Sequence, residues 1–245
     1  MKRAFILTLC VMVAVVFTAC AQSPSAQPDE TDLKAEPIVF TDEAFEAKVR
    51  KAMSKPEGEI TTAEAAAMTS LDLSNEHFDK KDGDIKSILD IKYFTALEEL
   101  NLSFNEISDL TPLAEIKSLK TLSFNGVSAR DLAPLKGLTN MVSIVFCWNY
   151  NESMDFGFEN LDALSDMKNL EHIDAKNAGI KDISGLANLS KLWDIQLCDN
   201  QITDITPLSN LSNLKIVLLL NNPVKDFSPL KTVYNNLEGK DFEIS

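Results

Sequence analysis

The stretch LWDIQLCDNQITDITPL, residues 192–208, spaces its apolar residues in a pattern that fits neither a helix face nor an alternating strand. Its leucines and isoleucines lie 3, 2, 5, 3 and 3 residues apart, whereas a helix face repeats every three or four residues and a strand face every second residue. The same spacing recurs in LEELNLSFNEISDLTPL, residues 97–113, and in LKIVLLLNNPVKDFSPL, residues 214–230. An internal repeat therefore decides the fold.

The repeat has seven units. They begin at Met68, Leu97, Leu119, Met141, Leu170, Leu192 and Leu214. Successive units start 22 residues apart, except for two intervals of 29 residues that follow Met68 and Met141. In both long units the extra residues fall after the strand. Since one unit cannot bury its own leucines, we expect stacked units that share one core and pair their strands in parallel.

This pattern resembles the leucine-rich repeat, LxxLxLxxNxI, and the tail DITPL resembles the bacterial internalin type. The resemblance covers residues 38–245. It implies an α/β solenoid: a leucine-rich-repeat horseshoe with a parallel β-sheet on the concave face, 3₁₀ or irregular structure on the convex side and a helical N-terminal cap. Asparagine at the ninth position of a unit, as at Asn105 and Asn200, is expected to bond backbone groups of the turn between units.

Helical signals precede the repeats. Residues 40–53, FTDEAFEAKVRKAM, predict a helix with Thr41 as N-cap and with Phe40 in contact with Phe45. The TTAE sequence at 61–64 is a capping box that opens a second short helix. We therefore expect a helical cap over 38–67, seven repeats over 68–235 and a C-terminal cap over 236–245.

The N-terminus has the features of an export signal. A basic start, MKR, precedes 16 uncharged residues. FTAC at 17–20 resembles the lipobox of bacterial lipoproteins, which implies a signal peptide over 1–19 and a lipid on Cys20. Ordinary cleavage after Ala21 is the alternative. Residues 20–37 contain three prolines and predict a disordered tether. The expected location is the cell membrane, lipid-anchored and extracytoplasmic.

Composition and motifs restrict the function. A formal net charge of −14 argues against nucleic acid as a partner. The sequence contains no recognisable catalytic triad, zinc motif or phosphate-binding loop, so we predict no enzyme, metal or cofactor site. A hydrolase using His172, Asp174 and Asp194 is a remote alternative. Cys147 and Cys198 lie two strands apart, about 10 Å, which exceeds the disulfide limit. They are predicted to be free thiols.

The outward positions of the strands begin polar and end apolar. The predicted ligand-binding residues combine exposed aromatic, basic and apolar side chains: Phe104, Trp148, Tyr150, Phe156, Phe158, Lys176, Leu218 and Leu220. Two alternatives stay open. The aromatic residues of segment 148–160 either bind a partner or pack onto the rim. The apolar row at Ile216, Leu218 and Leu220 is either exposed or covered by the C-terminal segment.

These features predict a monomeric, membrane-anchored binding module. By resemblance to internalins its ligand is a protein, bound by the concave face and the rim loops. A glycan or peptidoglycan ligand, recognised through stacking on tryptophan and tyrosine, is one alternative. A structural envelope protein without a ligand is another.

Overall fold

The computed structural model describes residues 35–75, 83–149 and 157–244. The predicted signal peptide, the lipobox with Cys20 and the tether up to residue 34 lie outside this range, as do Tyr150 and Phe156. Within the described ranges no helix is both long and apolar enough to cross a membrane.

Two helices cover the start of the solenoid: α1, Glu43–Ala52, and α2, Thr62–Ala66. The N-cap of α1 is Asp42, whose carboxylate accepts a hydrogen bond from the Phe45 N–H at 2.9 Å. The prediction of Thr41 is wrong, because the Thr41 backbone N–H and hydroxyl both donate to Asp90 instead. The expected capping box of α2 is present, between Thr61 and Glu64.

Short strands follow, one for each repeat unit and three more in the C-terminal half. In the described residues they are β1 Ser70–Asp72, β2 Glu99–Asn101, β3 Thr121–Ser123, β4 Ser143–Val145, β5 Glu159–Asn160, β6 His172–Asp174, β7 Ile180–Asp182, β8 Asp194–Gln196, β9 Ile216–Leu218 and β10 Gly239–Lys240. Eight of them form one parallel sheet in the order β1-β2-β3-β4-β6-β8-β9-β10. The central residue of each repeat strand points into the core, and we call the opposite side the sheet face.

The two 29-residue units keep the register of this sheet. Ser70 pairs with Glu99, and Ser143 pairs with His172, each at the first position of its strand. The additional residues of the fourth unit lead instead into β5, which pairs with β7 in a separate two-stranded sheet. An insertion in a unit therefore leaves the spacing of the sheet face unchanged.

The return path of the units consists of 3₁₀ turns. In the described residues they span Leu89–Tyr93, Thr111–Glu115, Ala133–Leu135, Asp162–Leu164, Ser184–Leu186, Thr206–Leu208, Ser228–Leu230 and Tyr234–Asn236. The aspartate of the DITPL-type tail explains where they begin. Asp204 accepts a hydrogen bond from the Thr206 N–H at 2.8 Å, and Asp109 does the same for Thr111. Hydrogen bonds from the Thr111 hydroxyl and N–H hold the pKa of Asp109 below its usual value.

Buried asparagines connect neighbouring units. Asn200 accepts hydrogen bonds from the N–H groups of Ala178 and Ile180 in the preceding unit, and donates to three carbonyl oxygens. Asn105, Asn149 and Asn222 make the corresponding contacts. The expectation for the ninth position is confirmed at these four residues.

The C-terminal segment ends the sheet as an additional strand. β10 pairs in parallel with β9, and the Asp241 carboxylate accepts hydrogen bonds from the N–H groups of Leu219 and Leu220. The segment lies beside the apolar row and does not fold over it. Ile216 and Leu218 are half-buried, and Leu220 is 55% exposed.

Candidate binding surface

The residue before the ninth position has a left-handed backbone in every unit but the first. In units two to seven these residues form a row that we call the ridge, with φ between 50° and 61°: Phe104, Gly126, Trp148, Asn177, Asp199 and Asn221. Glycine, asparagine and aspartate are the residues that adopt this conformation readily. Phenylalanine and tryptophan are exceptions on the ridge, and each costs on the order of 1 kcal/mol of backbone strain or more.

The two aromatic exceptions touch each other. The rings of Phe104 and Trp148 stack with centroids 6.0 Å apart and planes 24° apart, although they belong to units two apart. Gly126 lies between them, and a Cβ atom there would come within 2.9 Å of Phe104 Cδ1. Trp148 remains 55% exposed. We call Phe104, Gly126 and Trp148 the aromatic shelf.

Backbone hydrogen bonds hold the shelf on both sides. The Phe104 N–H donates to the Asn125 carbonyl at 2.7 Å, and the Trp148 N–H donates to the Lys176 carbonyl at 2.9 Å. The residues that follow the rings, Asn105 and Asn149, are buried and bonded to the core. These hydrogen bonds and the buried asparagines hold the backbone of Phe104 and Trp148 in its strained conformation.

The sheet face next to the shelf is polar. Its positions in the first three units carry only hydroxyl, amide and carboxylate groups: Ser70, Asp72, Ser74, Glu99, Asn101, Ser103, Thr121, Ser123 and Asn125. We call these nine residues the polar third. A depression of about 210 Å³ is lined by most of its members. No lysine, arginine or histidine stands at these nine positions.

An ion and hydrogen-bond network occupies the middle of the sheet face. His172 Nδ1 lies 2.9 Å from Asp194 Oδ2, and Gln196 Nε2 donates to both oxygens of the same carboxylate. Lys176 Nζ lies 2.8 Å from Gln196 Oε1 and 3.5 Å from Asp174 Oδ2. His172 thus pairs with Asp194 and not with Asp174.

One of the two thiols contacts this network, whereas the Cys198 thiol contacts Asp241 at 3.5 Å. The Cys147 thiol donates to Asp174 Oδ1 at 3.1 Å. Burial, followed by the hydrogen bond and charge of Asp174, raises the pKa of Cys147 to about 12, so it is not a thiolate nucleophile at neutral pH. Cys147 and Cys198 are both free, as predicted. In the ranges that the structure covers, no group of three or more histidine, cysteine or acidic residues is placed to hold a metal ion.

The predicted ligand-binding residues separate into four groups, of which buried Phe158 is one. Phe104 and Trp148 form the shelf, whereas Lys176, Leu218 and Leu220 lie farther along the sheet face. Tyr150 and Phe156 fall outside the described residues.

The prediction of Phe158 as a ligand-binding residue is wrong. It was expected on an exposed rim, but it is 6% exposed and packs edge-to-face against Phe124 and Phe146, with ring centroids 6.1 and 5.3 Å apart. The chain after the insertion returns to the core at this residue, where the Phe158 N–H donates to the Ala178 carbonyl.

Sequence reasoning missed Gly126. The signal was available, because aligning the units places this glycine between the two aromatic residues, 22 positions from each. It also missed Lys48, which is buried on α1 and donates to Asn75 Oδ1.

Comparisons with solved structures place this geometry among known folds. An internalin, InlF, from Listeria monocytogenes is 26% identical with a TM-score of 0.68; the match covers 87% of this chain and 66% of that one, so this chain spans just under two thirds of its length. Internalin C2 of the same organism is 28% identical with a TM-score of 0.66, covering 83% of this chain and 94% of that chain.

The chain has a leucine-rich-repeat fold similar to that of these internalins. The predicted solenoid class is confirmed: eight parallel strands form one sheet, and short 3₁₀ turns lie between successive strands in the chain. A leucine-rich-repeat protein of Leptospira interrogans, 20% identical with a TM-score of 0.53 over 67% of this chain and 42% of that chain, shares the fold. No protein-family model matches this chain, and the comparison with curated proteins gives no significant match.

Proposed function

We propose that this protein is a membrane-anchored, extracytoplasmic module that recognises a protein partner through its sheet face. The likeness to internalins supports a role in protein interaction. The described residues support binding over catalysis, because the acidic groups at the centre of the sheet face are bonded to neighbours and the adjacent thiol is held protonated.

The apolar row at the C-terminal end of the sheet face carries the proposal. Ile216, Leu218 and Leu220 point away from the core, and the C-terminal segment pairs beside them. Aliphatic side chains aligned on an exposed surface favour contact with another protein, because burying them removes apolar area from water. Lys176, two units away, adds a charged group that can orient the partner.

In-cell photo-crosslinking tests the protein partner. A benzophenone amino acid in place of Leu218 is expected to give a discrete heavier protein adduct. Leu220→Asp in the same chain should abolish that adduct, because a carboxylate would then have to be desolvated in an apolar contact. Val39, an 84% exposed valine on the N-terminal cap, provides the control: Val39→Asp should leave the adduct intact. Absence of an adduct, or an adduct indifferent to Leu220→Asp, would reject the proposal.

Lipid attachment at Cys20 is the second part of the proposal, and FTAC at 17–20 supports it. Two or more acyl chains would hold the module stably at a membrane, since a single chain binds only marginally. Metabolic labelling with a clickable fatty acid should mark the wild-type chain and not Cys20→Ala. Equal labelling of both chains would place the lipid elsewhere, and no labelling of either would exclude it.

A further inference from the structure

We infer that the aromatic shelf and the polar third together form a subsite for a neutral oligosaccharide. This inference goes beyond the proposed protein contact, because it uses residues of the first four units, whereas Leu218 and Leu220 belong to the seventh. It rests on the stacked rings, their strained backbone and the chemistry of the neighbouring strands.

The shelf offers an aromatic surface that is partly exposed to solvent. Trp148 is 55% exposed while its ring lies alongside that of Phe104. Pyranose rings present a face of C–H groups that packs on such aromatic planes, with hydroxyl groups around the rim. Gly126 makes the arrangement possible, since a side chain there would displace the Phe104 ring.

The polar third supplies the hydrogen-bonding partners that sugar hydroxyls need. Its hydroxyl groups donate and accept, its amides do both and its carboxylates accept. It adjoins the shelf directly, because Ser103 and Asn125 immediately precede Phe104 and Gly126 in the chain. The Ser103 hydroxyl accepts from the Asn125 N–H at 3.1 Å, and Asn125 Oδ1 accepts from the Cys147 N–H at 2.7 Å, so these polar groups are held in place.

Charge selects among saccharides. The polar third contains two carboxylates, Asp72 and Glu99, and no basic residue. A sulfated or uronic-acid chain would meet repulsion without a compensating cation. An apolar protein surface would have to desolvate eight polar side chains, all members of the polar third except the buried Ser103, without returning their hydrogen bonds. An uncharged saccharide chain avoids both penalties.

Titration of the full-length protein in detergent micelles tests the inference. The chain has two tryptophans, so a Trp193→Phe background makes Trp148 the only reporter of indole fluorescence. Cellohexaose and chitohexaose are the neutral probes, and a heparin-derived hexasaccharide is the anionic probe. We expect at least one neutral probe to change Trp148 emission and to saturate in calorimetry, and the anionic probe to do neither.

Three variants locate the site. Phe104→Asn and Trp148→Asn retain a residue that suits the ridge backbone, as Asn177 and Asn221 show, and should each weaken binding by about tenfold or more. Gly126→Ala keeps both rings but disturbs their stacking, and should weaken binding as well. Calorimetry reads the Trp148→Asn variant, which lacks the reporter. Val39→Asp, on the N-terminal cap, should bind like the wild type.

Three outcomes would overturn the inference: no response to either neutral probe at about 10 mM, well above a Kd of 1 mM; binding that Trp148→Asn and Phe104→Asn leave unchanged; or a preference for the anionic probe or for a basic peptide such as octalysine. The protein proposal is judged separately by the adduct from position 218. A silent position 218 together with saccharide binding would reject the protein partner alone.

Discussion

At the scale of single residues, the asparagines between units show how one side chain can join two repeats. Asn200 is buried and bonds five backbone groups, two of them N–H groups of the preceding unit. Since a buried N–H group without an acceptor costs about 1–3 kcal/mol, an asparagine in this position stabilises the interface between units as well as its own turn.

Replacing Asn200 should therefore destabilise the protein strongly. We expect Asn200→Ala to lower the free energy of unfolding by about 2–4 kcal/mol, because the N–H groups of Ala178 and Ile180 lose their acceptor. Asn213→Ala is the matched control, since Asn213 is exposed and donates only to the Ser190 carbonyl; its effect should stay below about 1 kcal/mol. Urea unfolding monitored by circular dichroism measures both. Equal losses would contradict the role assigned to Asn200.

By contrast, replacing Trp148, a large aromatic residue on the ridge, should change the free energy of unfolding little. Trp148→Asn removes backbone strain of about 1 kcal/mol and a ring contact of about 0.5–1.5 kcal/mol, so the free energy of unfolding should change by less than about 1 kcal/mol. A buried aromatic residue costs about 3–5 kcal/mol on truncation. Phe146→Ala, a core position of the same unit, is the comparison in the same urea series. A loss from Trp148→Asn as large as that from Phe146→Ala would show that Trp148 is a packing residue.

At the scale of elements, helix α2 depends on an ionised glutamate at its N-terminus. Hydrogen bonds, first from Lys55 and then from the backbone and hydroxyl of Thr61, lower the pKa of Glu64 to about 2. A folded-state pKa below the unfolded value of 4.5 means that this contribution is complete above pH 4.5 and is lost as pH falls towards 2.

Glu64→Gln should consequently change how stability depends on pH. We expect wild type to be more stable than the variant at pH 6, and the difference to shrink between pH 4.5 and 2. Thermal unfolding at pH 6, 4 and 2.5 follows it. Glu57→Gln, at an exposed glutamate of the preceding loop, controls for the removal of one negative charge. A difference that stays constant across the three pH values would show that Glu64 does not act through its charge.

The same scale shows how far the sequence predicts this structure. The strands and 3₁₀ turns followed from the phase of the leucines, because a buried stack tolerates few departures from the period. The N-cap of α1 was predicted wrongly: Thr41 and Asp42 are both residue types found at N-caps, with aspartate preferred, and the sequence does not show that a distant residue, Asp90, binds Thr41. Phe158 was misplaced because an insertion has no period, so its return to the core depends on a three-dimensional path. Two of the three shelf residues, Phe104 and Trp148, were predicted from the sequence, but Gly126 between them was not.

At the scale of the whole molecule, each strand of the sheet contacts the strand before it and the strand after it. Stability in such a stack is approximately a sum of units and of interfaces between neighbours. An element at one end of the stack therefore stabilises mainly the strand next to it, and α1 stabilises β1 in this way. Phe45 of α1 is buried against Phe40 and Phe94, with ring centroids 6.1 and 6.2 Å away.

Phe45→Ala should accordingly destabilise the N-terminal end of the sheet more than the C-terminal end. The cavity is expected to cost about 3–5 kcal/mol and to accelerate amide hydrogen exchange in β1 and β2 more than in β9. Phe227→Ala provides the mirror experiment, since Phe227 stacks on Phe242 at the C-terminal end with centroids 4.6 Å apart; there β9 should exchange faster than β1. Exchange that accelerates equally in every strand would mean that the solenoid unfolds as a single cooperative body.

The constant register across units of unequal length has a further consequence. Seven extra residues in the fourth unit leave Ser143 opposite His172, so a unit can gain residues after its strand while the register of the sheet stays the same. Loops of different length can therefore arise in evolution, or be introduced by engineering, without changing the sheet face. A peptide tag or a fluorophore attachment site inserted after the strand of a 29-residue unit should leave the sheet face unchanged.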